Sequence, residues 1–208
     1  MRVEAIEPTR SPQGKLRVRF DSGESLLMLP AAIAELGLYA GMELPDAAMD
    51  SIKETGGAAS AKERAVRIVS AASVTKKELR HRLVQKGETE EHADEAVKWL
   101  SELHLLDDRQ TAAQIVRSGA ARGYGAARIR QMLYEKRVPR ELWDEALEQL
   151  PPQDDAIDTF LQRRFRGKAP DRAEIKRATD ALLRRGHSWE DIRRAISRYT
   201  SDEEFFGE

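Results

Sequence analysis

The sequence predicts a mainly α-helical protein, an elongated array of three tandem three-helix repeats preceded by a small N-terminal β-containing domain. Three observations carry this expectation. Apolar residues alternate with period two only near the N-terminus and take helical spacing from Ser60 onward. Segments around Leu83, Leu133 and Leu182 resemble one another at intervals of 50 and 49 residues, a period typical of repeat arrays. Charge alternates in blocks of the same period: +6 over 61–87, −7 over 88–108, +7 over 109–140, −7 over 141–162 and +7 over 163–198.

The head comes first. In "KLRVRF" Leu16, Val18 and Phe20 alternate with Lys15, Arg17 and Arg19, as in a half-buried strand. "SPQG" before it and "DSGE" after it are turn signals. "VEAIEP" and "SLLMLP" supply flanking strands, so residues 1–30 read as an antiparallel meander. Pro30 opens a helix that Gly37 ends, "GLYAGMEL" is a tight connection, and Asp46 caps the next helix. Gly56-Gly57-Ala58-Ala59-Ser60 reads as a linker. The expected domains are 1–56 for the head and 57–108, 109–152 and 153–208 for the repeats.

The repeats follow from alignment. "ELRHRLVQKG" (78–87), "RIRQMLYEKR" (128–137) and "KRATDALLRRG" (176–186) fall in register, and Ala96-Val97, Ala146-Leu147 and Ala195-Ile196 recur downstream. An earlier helix is expected at roughly 61–72, 109–122 and 154–166. Ser60 with Glu63, Thr75 with Glu78 and Asp171 with Glu174 have capping-box form. Gly87 and Gly186 stand where a helix ends in the left-handed conformation. Arg137 holds that slot in the middle repeat, which disfavours a Cβ residue, and Pro139 is expected to force a different exit. Ile129, Met132 and Leu133 form one apolar face that Leu142, Ala146 and Leu150 meet. So few large side chains make a lone repeat marginal against chain entropy, and stacking is the usual remedy.

Composition narrows the function. The chain has 208 residues, 34% charged and 6% aromatic, with net charge −1 and no cysteine. Disulfides and thiolate metal sites are excluded, which fits a reducing compartment. No apolar run approaches the roughly 20 residues of a membrane span, and the N-terminus lacks signal-peptide order. The expectation is a cytoplasmic monomer without cofactor, metal or membrane.

"GYGAARIRQMLYEKRV" (123–138) opens like a phosphate-binding turn. A dinucleotide fingerprint needs a third glycine and a preceding strand. Arg128 stands where that glycine belongs, and a helix precedes. The segment reads as a helix–helix joint whose glycines permit close packing. Its N–H groups, with Arg128 and Arg130, remain available to an anion. The histidines, His81, His92, His104 and His187, read as surface or boundary residues. Asp107-Asp108 reads as an N-cap before a metal pair, and Trp99, Trp143 and Trp189 as core. No nucleophile–base pair stands out, so an enzyme is not expected.

Basic blocks remain. Lys86, Lys136 and Arg185 near helix ends complement the helix dipole. Arg130 and Arg137 share a face with Tyr134. Arg163, Arg164, Arg166 and Lys168 are denser than a helix end needs. With Arg172, Lys176, Arg177, Arg184 and Arg185 they form a candidate groove tracking phosphates. Intervening acidic blocks suit docking onto a composite surface of protein and nucleic acid.

"LDD" (106–108), then "GYGAARIRQMLYEKRV", then "WDEAL" (143–147) resemble the RecX family of recombinase regulators, and "GLYAGMEL" resembles the N-terminal extension of some members. The family's usual glycine is Arg137 here, and Thr111-Ala112 lacks its usual aromatic. The resemblance implies three-helix units that bind the RecA recombinase and lie in the groove of the RecA–DNA filament. Such proteins limit filament growth, ATP hydrolysis, strand exchange and coprotease activity, and are not enzymes. Leu106, Asp107, Asp108, Gly123, Gly125 and Ile129 match the family motif and are expected to be structural. Arg128, Arg130, Tyr134, Lys136 and the third-repeat cations are contact candidates. Binding to bare single- or double-stranded DNA is expected to be weak. A freestanding DNA-binding helical module is the alternative.

Overall fold

A computed structural model of the chain describes residues 1–11, 13–45 and 47–199. Three strands form one antiparallel sheet in sequence order: β1 (Val3–Pro8), β2 (Leu16–Phe20) and β3 (Ser25–Met28). Val18 pairs with Ile6 on one side and Leu26 on the other. The alternation in β2 places Val18 and Phe20 in the core and leaves Arg17 and Arg19 exposed. Helix α1 (Pro30–Glu35) begins on its proline and ends before Gly37. Asp46, expected to cap the next helix, lies outside the described residues.

The rest of the described chain is mainly helical. It comprises α2 (Ala48–Ala71), α3 (Lys76–Gln85), α4 (Glu90–Glu102), α5 (Asp108–Ala121), α6 (Ala126–Glu135), a 3-10 turn (Arg140–Leu142) running into α7 (Trp143–Leu147), α8 (Gln153–Phe165), α9 (Arg172–Arg184) and α10 (Trp189–Ile196). The chain divides into two compact units that meet in sequence at Leu106 and Asp107. The first holds the sheet and α1–α4, and the second α5–α10.

The linker expected at Gly56–Ser60 is instead the middle of the 24-residue α2. Composition misled because these small residues serve packing. A Cβ on Gly56 would stand 3.1 Å from Met28 Cε, and one on Gly57 would overlap the His92 ring. Ser60 is likewise no cap. Its hydroxyl receives the Lys15 ammonium at 2.8 Å and donates to Glu88, which also binds Arg64 at 2.6 Å. Head and first repeat thus share one helix and one polar network. His92, expected at the surface or a boundary, is 8% exposed because it covers Gly57, and its Nε2 stands 3.2 Å from Glu54.

The other caps follow the sequence. Thr75 accepts from the Glu78 N–H at 3.1 Å, and Asp171 with Glu174 forms a reciprocal capping box. Second helices end alike in all three repeats. The N–H of Glu88, Val138 and His187 returns to the carbonyl of Leu83, Leu133 and Leu182 at 3.1, 3.0 and 3.2 Å. The aligned leucines are therefore the C3 positions of three Schellman motifs. Arg137 takes φ +53° where Gly87 and Gly186 take +89° and +85°. Pro139 forces no different exit, because the motif is already closed by Val138.

Each repeat has its own core. Ile129 and Leu133 are fully buried with Ala112, Val116 and Ala146, and Leu142 and Leu150 pack partly against them. Ile157, Leu161, Leu182, Ile192 and Ile196 form the third core. Each such side chain contributes roughly 1.5–3 kcal/mol. Trp189 departs from expectation. As the first residue of α10 it projects beyond the packed face and is half exposed, whereas Trp143 is partly buried and donates its indole N–H to the Val138 carbonyl at 3.0 Å.

Candidate anion-binding groove

Within the second unit, the joint at Gly123–Gly125 is the seam between the second and third repeats. Gly123 closes α5 in the left-handed conformation, with Tyr124 N–H bonded to the Gly119 carbonyl at 3.0 Å. Gly125 then begins α6. A Cβ there would overlap the Gly186 carbonyl, and one on Gly186 would overlap the Arg128 backbone. The approach is this close because the Gly125 and Ala127 N–H groups donate to the Arg185 and Gly186 carbonyls at 2.9 and 3.1 Å. The start of α6 therefore seats on the end of α9. This corrects the expectation that the N–H groups of the joint face an anion, since two of these donors are already used.

His187, expected at the surface or a boundary, completes the seam and is 4% exposed. Its Nε2 lies 3.1 Å from the Gly123 carbonyl, and its Nδ1 is buried without a hydrogen-bond partner among the described residues. Burial pushes its pKa below the ordinary value, and the nearby Arg185 charge adds to this; the Gly123 carbonyl and Asp191 pull the other way. The balance favours the neutral ring, and in that form an Nε2–H can donate to the Gly123 carbonyl.

Beside this seam lies a groove of about 910 Å³ between α5, α8 and α9. Six arginines line it: Arg122, Arg163, Arg164, Arg166, Arg177 and Arg185. Two carboxylates do so as well. Glu174 is committed to its capping box, and Asp155 stands in the first turn of α8. Phe160 contributes an apolar wall, with the Arg185 guanidinium 4.8 Å above its ring centroid, a favourable cation–π distance. Tyr124 also lines the groove.

Ion pairing differs among the arginines. Many outside the groove are matched: Arg64 with Glu88, Arg80 with Asp94 and Glu90, Arg82 with Glu78, Arg109 with Glu145, Arg194 with Asp154 and Asp191, and Arg198 with Asp158. Arg10, Arg17, Arg117, Arg130 and Arg184 form no ion pair among the described residues but do not line the groove. Arg122, Arg163, Arg164, Arg166 and Arg177 form no ion pair among the described residues. Unneutralised guanidiniums around one concavity attract planar, multidentate anions such as phosphodiesters and carboxylates.

Five contact candidates, Arg163, Arg164, Arg166, Arg177 and Arg185, are brought together in this groove. Lys168, Arg172, Lys176, Arg184, Arg128, Arg130, Tyr134 and Lys136 do not line it. Arg128 is half-buried, bonded to Gln131 Oε1 at 2.7 Å and 3.9 Å from Glu135. Tyr134 is 66% exposed. Sequence reasoning missed Arg122, Tyr124 and Phe160. Their signal was position, since Arg122 and Tyr124 flank Gly123 at a repeat seam and Phe160 precedes Arg163 by most of a turn. Among the motif residues, Asp107 accepts from Gln110 N–H at 3.0 Å as an N-cap, Leu106 is 5% exposed, and Ile129 is core. Among the described residues no helix is long and apolar enough to cross a membrane, and no His, Cys, Asp and Glu group is placed to hold a metal ion.

Fold and groove together define a tandem three-helix-repeat protein with an unneutralised arginine groove. Family models for the first, second and third three-helix domains of RecX match residues 61–100, 107–147 and 153–196. The "Regulatory protein RecX" of Vibrio parahaemolyticus is 33% identical over 141 residues, 66% of this chain and 90% of its own length. That of Halorhodospira halophila is 32% identical over 161 residues, 74% and 97% of the two chains. The chain belongs to the RecX family. A crystal structure of a regulatory protein RecX shares the fold with TM-score 0.65 at 22% identity, covering 94% of this chain and 98% of its own. Another, from Lactobacillus salivarius, does so with TM-score 0.61 at 21% identity over 69% and 96%.

Proposed function

We propose that this chain regulates the RecA recombinase, mainly as an inhibitor, by binding in the groove of the RecA–DNA filament. In this reading it limits filament extension, ATP hydrolysis, strand exchange and coprotease activity, and performs no chemistry of its own. The arginine groove of the second unit supplies the contact. The observation that supports this reading is the gathering of six arginines around one concavity, five of them without an ion pair among the described residues. A chain of net charge −1 gains little long-range attraction to DNA, so a local cationic groove suits a surface already held close by protein contacts.

Binding along assembled subunits changes an assembly equilibrium only through differential affinity. The test is therefore binding to RecA filaments on single-stranded DNA against binding to the same DNA bare, with ATP hydrolysis followed in parallel. Tighter binding to the filament with falling ATPase supports the reading. Tight binding to bare DNA with a steep salt slope, and no preference for the filament, favours a freestanding DNA-binding module.

A further inference from the structure

We propose that the arginine groove of the second unit binds a nucleoside polyphosphate, with the polyphosphate on the guanidiniums and the base beside Phe160. The arginines are those of the filament reading, but this binding belongs to the chain alone and is tested on the chain alone.

Charge density comes first. Six arginines face two carboxylates around one concavity, and Glu174 is held in its capping box. Arg163, Arg164 and Arg166 fall within the last turn and cap of α8, and one turn rises only about 5.4 Å. Guanidiniums this close suit contiguous phosphates, which share bridging oxygens. The phosphates of a nucleic-acid strand are separated by sugars and match this density less well. Arg166 is held at φ +51°, in the left-handed region that a side chain enters at a cost. Strained residues of this kind concentrate at binding sites, and this one lines the groove.

Order along α8 is the second observation. Gln153, Ala156, Phe160, Arg163 and Arg164 succeed one another at helical steps of three and four, and all line the groove. From Gln153 to Arg164 this face spans about 16 Å, a length that accommodates a base, a sugar and a phosphate chain in sequence. Ala156 leaves room for a ring between the amide and Phe160. The Arg185 guanidinium braces Phe160 from 4.8 Å above its centroid, and Tyr124 is a second aromatic wall. The volume of about 910 Å³ is that of a small-molecule pocket.

Gln153 supplies the third. Its Nε2–H donates to the Pro151 carbonyl at 2.8 Å, which fixes the amide. Its Oε1 is buried and has no hydrogen-bond partner among the described residues. A buried acceptor left unpaired is costly, and a base N–H or amino group is the donor it lacks. The glycine joint plays no part, since the phosphate donors are side chains.

The experiment is isothermal titration calorimetry of the full chain at low salt with ATP, GTP, AMP, inorganic tripolyphosphate and tetrathymidylate. ATP or GTP should bind about tenfold more tightly than AMP, which lacks the polyphosphate, and than tripolyphosphate, which lacks the stacked base. Phe160→Leu and Gln153→Ala should weaken ATP binding several-fold and leave tripolyphosphate unchanged. R163A/R164A/R177A should weaken both about tenfold or more. Arg166→Gly relieves the left-handed strain, so it should melt no lower than the parent and still bind ATP several-fold more weakly. Circular dichroism confirms that each variant is folded. Tripolyphosphate binding as tightly as ATP, or ATP binding unchanged in Phe160→Leu, overturns the nucleoside site. Tighter binding of tetrathymidylate than of ATP overturns the preference for contiguous phosphates. Parent that binds no nucleotide, or binding that survives R163A/R164A/R177A, removes the site altogether. The filament contact is measured separately with RecA, so its failure and this one are distinct.

Discussion

Gly123 and Gly125 stand two positions apart and answer to different constraints. Gly123 needs a left-handed backbone at φ +69° and has room for a methyl group beyond the Arg185 side chain. Gly125 has φ −80°, which any residue adopts, but touches the Gly186 backbone. Gly123→Ala should therefore cost about 1–2 kcal/mol. Gly125→Ala, which separates two backbones and breaks their hydrogen bonds, should cost about 3 kcal/mol or more. Urea melts of the two variants decide this, and equal costs would refute the seam. The converse case is Arg137. Left-handed strain of about 1–2 kcal/mol, less the added unfolded-state freedom of glycine, leaves Arg137→Gly about 0.5–1 kcal/mol more stable in the same melts. The glycine pattern was legible in the sequence, but only the partner backbone shows which glycine tolerates a side chain.

His187 gives the seam a pH dependence whose sign follows from its depressed pKa. The unfolded chain binds the proton more readily, so the stability that neutral His187 contributes is complete above the unfolded value of about 6.5. It declines as pH falls through that value and is fully lost below the folded one. Stability measured from pH 7.5 downward should fall more steeply in the parent than in His187→Gln. Matching slopes would show that the proton is taken up elsewhere.

Among the helices, α2 departs furthest from the sequence reading. Two glycines, two alanines and a serine form a sound linker signal by composition. The signal fails because three of these positions admit a neighbour: Met28 over Gly56, His92 over Gly57, and Lys15 and Glu88 at Ser60. Tertiary contact outweighs a helix penalty of about 1 kcal/mol per glycine. Gly57→Ala alone should destabilise through the His92 ring, whereas in a His92→Ala background the same change should become neutral or stabilising. A double-mutant cycle measures this coupling, and additive effects would contradict the contact. The caps were legible because their signals are local. Asp171→Ala, losing a two-way capping box, should cost about 1 kcal/mol in thermal melts. Trp189 and His92 were misjudged for the opposite reason, because residue type says little about burial at a helix start or across a packed pair.

For the molecule as a whole, the charge blocks were legible and their placement was not. The blocks hold every arginine of the groove without singling out Arg122, and spacing alone did not separate Arg163, Arg164, Arg166, Arg177 and Arg185 from Lys168, Arg172, Lys176 and Arg184, which lie on the same two helices or just beyond them. Selection came from helix phase and from the neighbouring repeat, which adds Arg122 and Tyr124. The repeat period was legible because three cores obey the same spacing, and each second helix ends on the same leucine carbonyl. If the groove contacts phosphates, each arginine removed should lower the salt slope of oligonucleotide binding by about 1. The most direct measurement is inhibition of RecA ATP hydrolysis on single-stranded DNA by Arg163→Glu/Arg164→Glu/Arg166→Glu, compared with the parent and with Arg130→Glu outside the groove. Inhibition should weaken by about tenfold or more in the triple variant, consistent with roughly 1.4 kcal/mol of lost or opposed contact, and little with Arg130→Glu. Full potency in a folded triple variant would contradict the groove as the regulatory contact.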